Sequence, residues 1–488
     1  MQANERTFLL DLRGRNNYRS EGLSTFFAVI CILDVFGVFP VVSLPKAIID
    51  CGFYGVLVIL IVCSTQIYTA ALLGRCWIIA EDIFPTIHRR NRQPYATLAE
   101  ITFGKKLSSF VTFLLDLTVF GGGIPNLIVA SQNLQLLGLR ISDGKTDISY
   151  CYWILITGTV LCPILWLGSP KDMKCLCSTS AGIVASVFIL TCGCLIFSGG
   201  SSDKPASPES LDSSFPWQLI LKAYGIIAFQ FDIHPSILTI QVDMIDKTQL
   251  TKALFGGFSA TILMFGITTV LAALKYGVIT QPSILETLPT TIPLHLAAAL
   301  IAIQLCLTSA VSNSALYQQM EDCMQISREF NTKRCILRTT LTILAIVIAE
   351  SVPQFDLVMS LIGGAFVAPF AFILPPIMFL KMKSLRTKHL EELTMSSITN
   401  IVLTKGVEPS QESISRYIRE DLDRTVEEWP RSSFFEEYLE VYVCVFIVFA
   451  STILTAATSY INIANAANSY SDMSNPCIYN ISKSLLYW

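Results

Sequence analysis

The sequence contains little charge for its length. Only 15% of its 488 residues are Asp, Glu, Lys or Arg, whereas 52% belong to the hydrophobic class. A typical soluble domain has about 25% charged residues, so a chain of this size lacks the charge to cover its surface in water. The net charge of −3 and the absence of a Lys/Arg run also exclude a basic face for nucleic acid.

Motifs of catalysis and metal binding are missing as well. The sequence has four histidines, and no HExxH, GxSxG or Cys–His arrangement accompanies them. Its 15 cysteines lie mostly within apolar stretches and lack the spacing of a metal site. We therefore expect a protein that is not an enzyme and that needs no cofactor or metal.

Long apolar runs dominate the chain. Because every backbone amide in lipid must find a partner within its own segment, we predict these runs to be transmembrane helices. The predicted fold class is an all-α polytopic membrane protein with 11 spans. The spans, numbered 1 to 11, cover residues 23–48, 54–79, 107–135, 151–168, 176–198, 217–241, 254–274, 291–314, 336–352, 357–380 and 438–461.

The basic residues indicate the orientation of the chain. With the amino terminus in the cytosol, 27 of the 34 Lys and Arg residues lie on the cytosolic side, as the positive-inside rule requires. The first 22 residues contain four arginines and no apolar h-region, which is typical of a cytosolic tail and not of a signal peptide. The carboxyl terminus is then luminal or extracellular, where Asn480 begins a glycosylation sequon.

These features predict five regions. They are a cytosolic tail at 1–22, a ten-helix core at 23–381, a charged cytosolic insert at 382–437, an eleventh helix at 438–461 and an extracytosolic tail at 462–488. Within the core, the inverted repeats are predicted at about 23–198 and 217–380.

Spans 1 and 6 contain residues that disfavour a continuous helix. Each proline removes an amide donor and clashes with a carbonyl one turn back. Spans 1 and 6 begin two five-span sets, so the pattern predicts an inverted-repeat transporter whose helices 1 and 6 are broken; a kink without a ligand is the alternative for either span alone. The residues concerned are Asp34, Gly37, Pro40 and Pro45 in span 1 and Gln230, Asp232, His234 and Pro235 in span 6.

The free backbone groups of such breaks suit a zwitterionic substrate. A half-helix that begins near Pro40 presents amides to a carboxylate, and unwound carbonyls from Phe229 to Phe231 suit an ammonium group. The predicted substrate-binding residues are Asp34, Gly37, Val38, Phe39, Phe229, Gln230 and Phe231.

Four titratable side chains are candidates for proton coupling, because ionisable groups within the bilayer are costly and mark functional sites. They are Asp34, Asp116, Asp232 and His234. Packing against a neighbouring hydroxyl or amide is the alternative for Asp116, and capping of a half-helix is the alternative for His234. Lys222, near the outer end of span 6, is expected to extend to the membrane interface.

An ordered series of motifs resembles the amino acid/auxin permease family, particularly its vesicular inhibitory amino acid and vacuolar members, over about residues 22–381. The motifs are Asp34 with Ser43-Leu44-Pro45-Lys46-Ala47; Tyr95 to Gly104; Ala223-Tyr224-Gly225 with Phe229, His234-Pro235 and Ile240 to Met244; and Val352-Pro353 with Phe355, Gly363-Gly364 and Leu374-Pro375-Pro376. Asp34 and Val38 depart from the family pattern, which usually has Asn and Gly there.

The resemblance implies a leucine-transporter-like fold with an eleventh span and secondary transport of amino acids, usually driven by protons. Sodium-coupled relatives of this fold place hydroxyl ligands in the region of Thr308, Ser309 and Ser312, although bonds to the helix backbone are the commoner use of such hydroxyls. A carboxyl group at Asp34 has three possible roles there: accepting the coupling proton, pairing with the substrate amine, or favouring a cationic substrate.

We therefore expect a proton-coupled secondary amino acid transporter in a vesicle-like, lysosome-like or plasma membrane. Its expected partners are an amino acid, protons and lipid, and symport and exchange are both open. A lysosome-type amino acid sensor with little net transport is the alternative from another class, and a channel is the third possibility.

Overall fold

The computed structural model of the protein describes residues 22–85, 87, 94–142, 149–167, 173–198, 217–327, 330–351, 355–405 and 434–469. Every regular element within these ranges is helical, apart from an isolated β-bridge between Leu23 and Met244. Among the described residues, seven helices are long and apolar enough to cross a membrane, and Thr25–Phe36 and Tyr150–Trp166 are shorter apolar helices. The predicted all-α polytopic class is thereby confirmed.

The first five predicted spans correspond to described helices. They are α1 (Thr25–Phe36), α2 (Phe39–Val42), α3 (Leu44–Cys51), α4 (Phe53–Ile83), α5 (Pro94–Phe103), α6 (Lys105–Ile141), α7 (Tyr150–Leu167) and α8 (Met173–Phe197). Span 1 comprises α1 to α3, and α5 lies between spans 2 and 3.

The remaining six spans follow the same pattern. Their helices are α9 (Trp217–Gln230), α10 (His234–Asp243), α11 (Leu250–Lys275), α12 (Ile284–Thr287), α13 (Ile292–Cys323), α14 (Thr332–Ser351), α15 (Phe355–Ile362), α16 (Leu374–Lys405) and α17 (Phe434–Ser469). Two π-helical segments, Gly363–Val367 and Pro369–Ile373, connect α15 to α16.

The predicted break in span 1 lies where α1 ends. Gly37 closes α1 by donating its amide to the carbonyl of Leu33, and its φ of 62° takes the chain out of the helix. A φ in this range strains residues with a Cβ atom, so glycine is favoured here. The new helix α2 has Pro40 in its first turn, where a missing amide costs no helical bond.

The break in span 6 lies between Gln230 and His234. Helix α9 ends at Gln230, and α10 starts at His234 with Pro235 in its first turn. Both predicted breaks are therefore confirmed, five spans apart in the chain.

Helix packing places both breaks inside the bundle. Helix α1 packs against α8 and α11, α9 packs against α3, α4 and α15, and α13 runs along α6 and α8. Helix α16 continues to Lys405, so the first part of the predicted charged insert is helical. Helix α17 begins within the predicted insert, at Phe434, and ends within the predicted carboxyl-terminal tail, at Ser469. Residues 1–21, 406–433 and 470–488, which include Asn480, lie outside the described residues, and the predicted division into regions stays a prediction.

Candidate functional site

The two breaks touch each other through aromatic rings. Phe36 at the end of α1 and Phe231 in the second break have ring centroids 5.2 Å apart. Phe258 of α11 packs against both rings, with centroids 4.8 Å from Phe36 and 5.7 Å from Phe231. All three side chains are buried. The rings therefore close the space between the breaks.

Free amides lie at the first break. The carbonyl of Val38 accepts hydrogen bonds from the amides of Val41 and Val42, as at the start of a helix. The amides of Val38 and Phe39 have no backbone acceptor within the described residues, and Pro40 has no amide. Val38 and Phe39 are buried. The first break thus presents two donors away from water, where the sequence predicts a carboxylate site.

The second break starts later than predicted. The Phe231 amide still donates to the carbonyl of Ile227, and the Asp232 amide donates to that of Phe229. The prediction of a free Phe229 carbonyl is therefore wrong, because the chain turns tightly at this point. The carbonyls of Gln230 and Phe231 have no backbone donor in the described part of the chain, because the His234 amide donates to the Asp232 side chain and Pro235 has no amide.

Gln66 of α4 also reaches the second break. Its Nε2 donates to the carbonyl of Ala228 over 2.8 Å, and its side chain is buried. This bond satisfies a carbonyl near the end of α9. Among the described residues, the carbonyls of Gln230, Phe231 and Asp232 remain without a backbone donor, and Gln66 Oε1 is a further buried acceptor without a partner.

Asp232 and His234 form a pair inside the second break. Asp232 Oδ1 lies 3.2 Å from His234 Nδ1 and also accepts the His234 backbone amide at 3.2 Å. On the other side of the ring, Nε2 lies 3.0 Å from the hydroxyl of Thr69 on α4, which in turn lies 2.9 Å from the carbonyl of Thr65. The imidazole is fully buried. Carboxylate, imidazole and hydroxyl therefore form one continuous chain of polar groups.

The carboxyl group of Asp34 faces α8. Ser180 and Cys177 of α8 contact its carboxyl group, and Oδ1 is buried without a hydrogen-bond partner among the described residues. Gln304 of α13 donates to Ser180 over 3.3 Å and to Thr308 over 2.7 Å, and its Oε1 also has no partner there. Asp34 thus belongs to a buried polar cluster with two unused acceptor atoms.

The other predicted substrate residues surround the break without forming one surface. A Cβ atom on Gly37 would meet Gln304 Nε2 at 2.9 Å, so Gly37 lies against the Asp34 cluster. Gln230 donates to the Met359 sulfur over 3.4 Å, and the Phe229 ring lies near Gly122 of α6. Their roles in substrate binding stay predictions.

The weaker candidates lie elsewhere. Asp116 is half-buried on α6 and has no hydrogen bond or ion pair to the described residues. Thr308 joins the Asp34 cluster through Gln304, whereas Ser309 lines a crevice between α6, α7, α13 and α14, and Ser312 is half-buried. Sodium binding by the three hydroxyls stays a prediction.

Sequence reasoning missed the partners of these groups. Gln66, Thr69, Ser180 and Gln304 are all buried polar residues within apolar spans. A glutamine at mid-span is costly in lipid, and this cost was the available signal for Gln66 and Gln304.

The sequence of the chain is similar to those of known proteins. A family model described as "Transmembrane amino acid transporter protein" matches residues 22–406. Amino acid transporter AVT1C of Arabidopsis thaliana is 25% identical over 367 residues, which make up 73% of this chain and 63% of that protein. Amino acid transporter AVT1J of the same plant is 24% identical over 379 residues, 75% of this chain and 85% of that protein.

Two solved structures show a partial likeness. MhsT in complex with L-phenylalanine has a TM-score of 0.48 and 14% identity, and the alignment covers 77% of this chain and 99% of MhsT. A sodium-coupled sialic acid symporter in a substrate-bound outward-open state has a TM-score of 0.44 and 15% identity, with 75% of this chain and 80% of the symporter covered.

Proposed function

Because the chain belongs to the transmembrane amino acid transporter protein family, we propose that it is a proton-coupled secondary transporter that binds an amino acid between the breaks of spans 1 and 6. Transporters and not enzymes make up this family, in agreement with the missing catalytic motifs. The contact between Phe36 and Phe231 carries the proposal, because it brings free amides from one break beside free carbonyls from the other.

The substrate has matching groups at both breaks. Its carboxylate would accept the amides of Val38 and Phe39 at the positive end of the half-helix, and its ammonium group would donate to the carbonyls of Gln230 and Phe231. The Phe231 ring, packed on Phe36 and Phe258, separates this space from the rest of the bundle. Entry of a substrate therefore requires movement of these rings.

The Asp232–His234–Thr69 chain suits a single mobile proton. When the Thr69 hydroxyl donates to the Thr65 carbonyl, His234 Nε2 must carry a proton to bond Thr69, and a second proton is needed between Nδ1 and Asp232. When the hydroxyl donates to Nε2, one proton on Nδ1 satisfies both ring nitrogens. Rotation of one hydroxyl thus changes the proton content of the pair by one.

The location of the Asp232–His234 pair at the break couples proton binding to movement of α9 relative to α10. Asp232 lies between α9 and α10, and His234 is the first residue of α10, so a change in the angle of the two half-helices would change the distances within the pair. A proton gradient can drive the transporter only if the pair binds the proton unequally in its two access states. Placing the titratable pair at the hinge itself provides such a difference.

Asp34 is a second proton-binding candidate. Its Oδ1 and Gln304 Oε1 are two buried acceptors without partners in the described residues, and a buried acceptor is costly until it is paired. Protonation of Asp34 would add one donor to this cluster. The proposal therefore includes Asp34 beside the Asp232–His234 pair.

The proposed setting is a vesicle-like, lysosome-like or plasma membrane. The amino terminus would be cytosolic and the carboxyl terminus luminal or extracellular, with Asn480 glycosylated. The proposed partners are the amino acid, protons and the lipid bilayer.

Purified protein in proteoliposomes tests this proposal. A panel of labelled amino acids is offered under an imposed pH gradient, with and without a protonophore, and protein-free liposomes serve as the control. We expect accumulation above the outside concentration that the protonophore abolishes. Binding without flux would identify a sensor, and flux that only equilibrates the solute would identify a channel; either result would refute the proposed function.

A further inference from the structure

One face of the short helix α15 packs against α9. Asp356, Met359, Ser360 and Gly363 follow the spacing i, i+3, i+4, i+7 that places residues on one side of a helix. A Cβ atom on Gly363 would overlap the carbonyl oxygen of Gly225, so the backbones of the two segments are in contact. The Ser360 hydroxyl lies 3.2 Å from the Lys222 carbonyl.

This face covers the break in span 6. The Met359 sulfur accepts the Gln230 side chain at 3.4 Å, and Gln230 is the last residue of α9 before the break. Met359 is 1% exposed and Gln230 is 4% exposed, so solvent reaches neither side chain while α15 stays in place. Displacement of α15 from α9 would uncover the break.

An ion pair between Lys222 and Asp356 lies at the edge of the contact between α15 and α9. Lys222 Nζ lies 2.6 Å from Asp356 Oδ2, and the two side chains are 37% and 26% exposed. The prediction that Lys222 extends to the membrane interface stays a prediction, and its ammonium group is paired with Asp356 in the structure. The charge distribution of the chain assigns this end of α9 to the extracytosolic side.

Helix α15 has other neighbours besides α9, and an irregular segment follows it. The π-helical segment Gly363–Val367 follows α15 directly. In a π-helix the hydrogen bonds join residues five apart instead of four, and such segments are frequent at functional sites. Asn462 of α17 donates to the Ser360 carbonyl over 2.9 Å, and the Ser360 hydroxyl lies 3.0 Å from Asn462 Oδ1. Helix α15 thus packs against α6, α9 and α17 and is joined to α16 by an irregular segment.

We propose that Lys222 and Asp356 form an extracytosolic clasp that holds α15 closed over the break in span 6, and that opening of this clasp admits the amino acid to its site. The inference rests on the proposed function for the identity of what is admitted. The clasp itself is a positioning pair: neither side chain touches the proposed substrate groups.

Site-resolved cysteine labelling tests the clasp without any transport measurement. Met359→Cys places a thiol beneath α15, and a hydrophilic maleimide labels it in protein held in lipid nanodiscs. Mass spectrometry of the peptide around residue 359 separates it from the native thiols, and exposed Cys323 serves as the internal reference for reagent activity. In this background, Lys222→Met or Asp356→Asn should raise the labelling rate about twofold to fivefold, the range expected for a partly exposed ion pair.

Exchanging the two charges distinguishes loss of the ion pair from a general loss of packing as the cause of faster labelling. The double change Lys222→Asp with Asp356→Lys should return the labelling rate towards that of the Met359→Cys parent, since the pair is restored with opposite polarity. Asp50→Asn is the matched control, because it breaks the 2.9 Å pair with Lys46 inside α3 and should leave the rate unchanged.

Three results would overturn the clasp: equal labelling in the single variants and the parent, no recovery in the reversed pair, or equal acceleration by Asp50→Asn. A variant that fails to fold is replaced by a salt titration of the Met359→Cys parent, in which labelling must quicken as ionic strength rises. Failure of the proposed function would show separately, as absence of uptake by the wild-type protein.

Discussion

Replacement of Asp232 by asparagine removes the charge of the proposed proton site while keeping its shape. Asp232 Oδ1 accepts the backbone amide of His234 at 3.2 Å and lies 3.2 Å from Nδ1 of the same residue. Asparagine retains one acceptor oxygen for these bonds. A hydrogen bond to a charged group is worth about 1.5–3 kcal/mol and a neutral one about 0.5–1.5 kcal/mol, so the two weakened bonds should cost about 1–3 kcal/mol of stability and leave the protein folded.

The effect on coupling should be much larger than the effect on folding. A pH difference of about 2 units supplies about 2.7 kcal/mol for each proton, which supports roughly 100-fold accumulation at one proton per substrate. Without a carboxylate at position 232, His234 has no acceptor that can share a second proton, so Asp232→Asn should equilibrate substrate without accumulating it. Exchange of labelled for unlabelled substrate at equal pH should persist, since it needs no net proton movement.

The assay is the plateau ratio of substrate inside to outside in proteoliposomes, with and without a protonophore. Asp50→Asn serves as the matched control, because the Lys46–Asp50 pair is partly exposed and lies within α3. A plateau for Asp232→Asn equal to that of the wild-type protein, and equally sensitive to the protonophore, would refute the proton count derived from the Asp232–His234–Thr69 chain.

Two further changes address other parts of the site. Asp34→Ala should remove uptake while leaving the elution profile on size exclusion unchanged, because it deletes the carboxyl group of the buried cluster and little packing; unchanged uptake would count against Asp34. Gly363→Ala should lower the melting temperature in detergent by an amount that corresponds to about 1–3 kcal/mol, because its Cβ would overlap the Gly225 carbonyl. Gly266→Ala is the control and should not lower it, because a Cβ there meets nothing within 4 Å. Equal melting temperatures of the two variants would contradict the described helix contact.

Both breaks could be predicted because proline and glycine act locally. Gly37 and Pro40 disrupt helical bonds within one turn of themselves, and Pro235 does so in span 6, whatever the rest of the fold does. The end of α9 was harder to place, because Gln230 is compatible with a helix and the turn depends on the Asp232 amide finding the Phe229 carbonyl.

The surroundings of Asp34 could not be predicted in the same way. Its contacts, Ser180 and Cys177, are more than a hundred residues away in the chain, and Gln304 lies further still. Apolar periodicity shows that a segment crosses the membrane, but it does not show which two helices become neighbours. The same limit explains why the Lys222–Asp356 pair was missed.

The charge of the substrate sets the sign of proton coupling. In the proposed site the ammonium group lies at the carbonyls of Gln230 and Phe231, directly before Asp232 in the chain, whereas the carboxylate lies at the other break. The positive ammonium group favours the form of the Asp232–His234 pair that holds one proton fewer. Because linkage is reciprocal, loss of that proton strengthens substrate binding by the same factor by which bound substrate weakens proton binding. We therefore expect substrate affinity to rise with pH, by about 5-fold to 150-fold between the two proton states, as in exchange of amino acid for protons. Equilibrium binding of labelled substrate across a pH series measures this directly. Affinity that falls with rising pH would place the carboxylate, and not the ammonium group, beside the pair and would indicate symport.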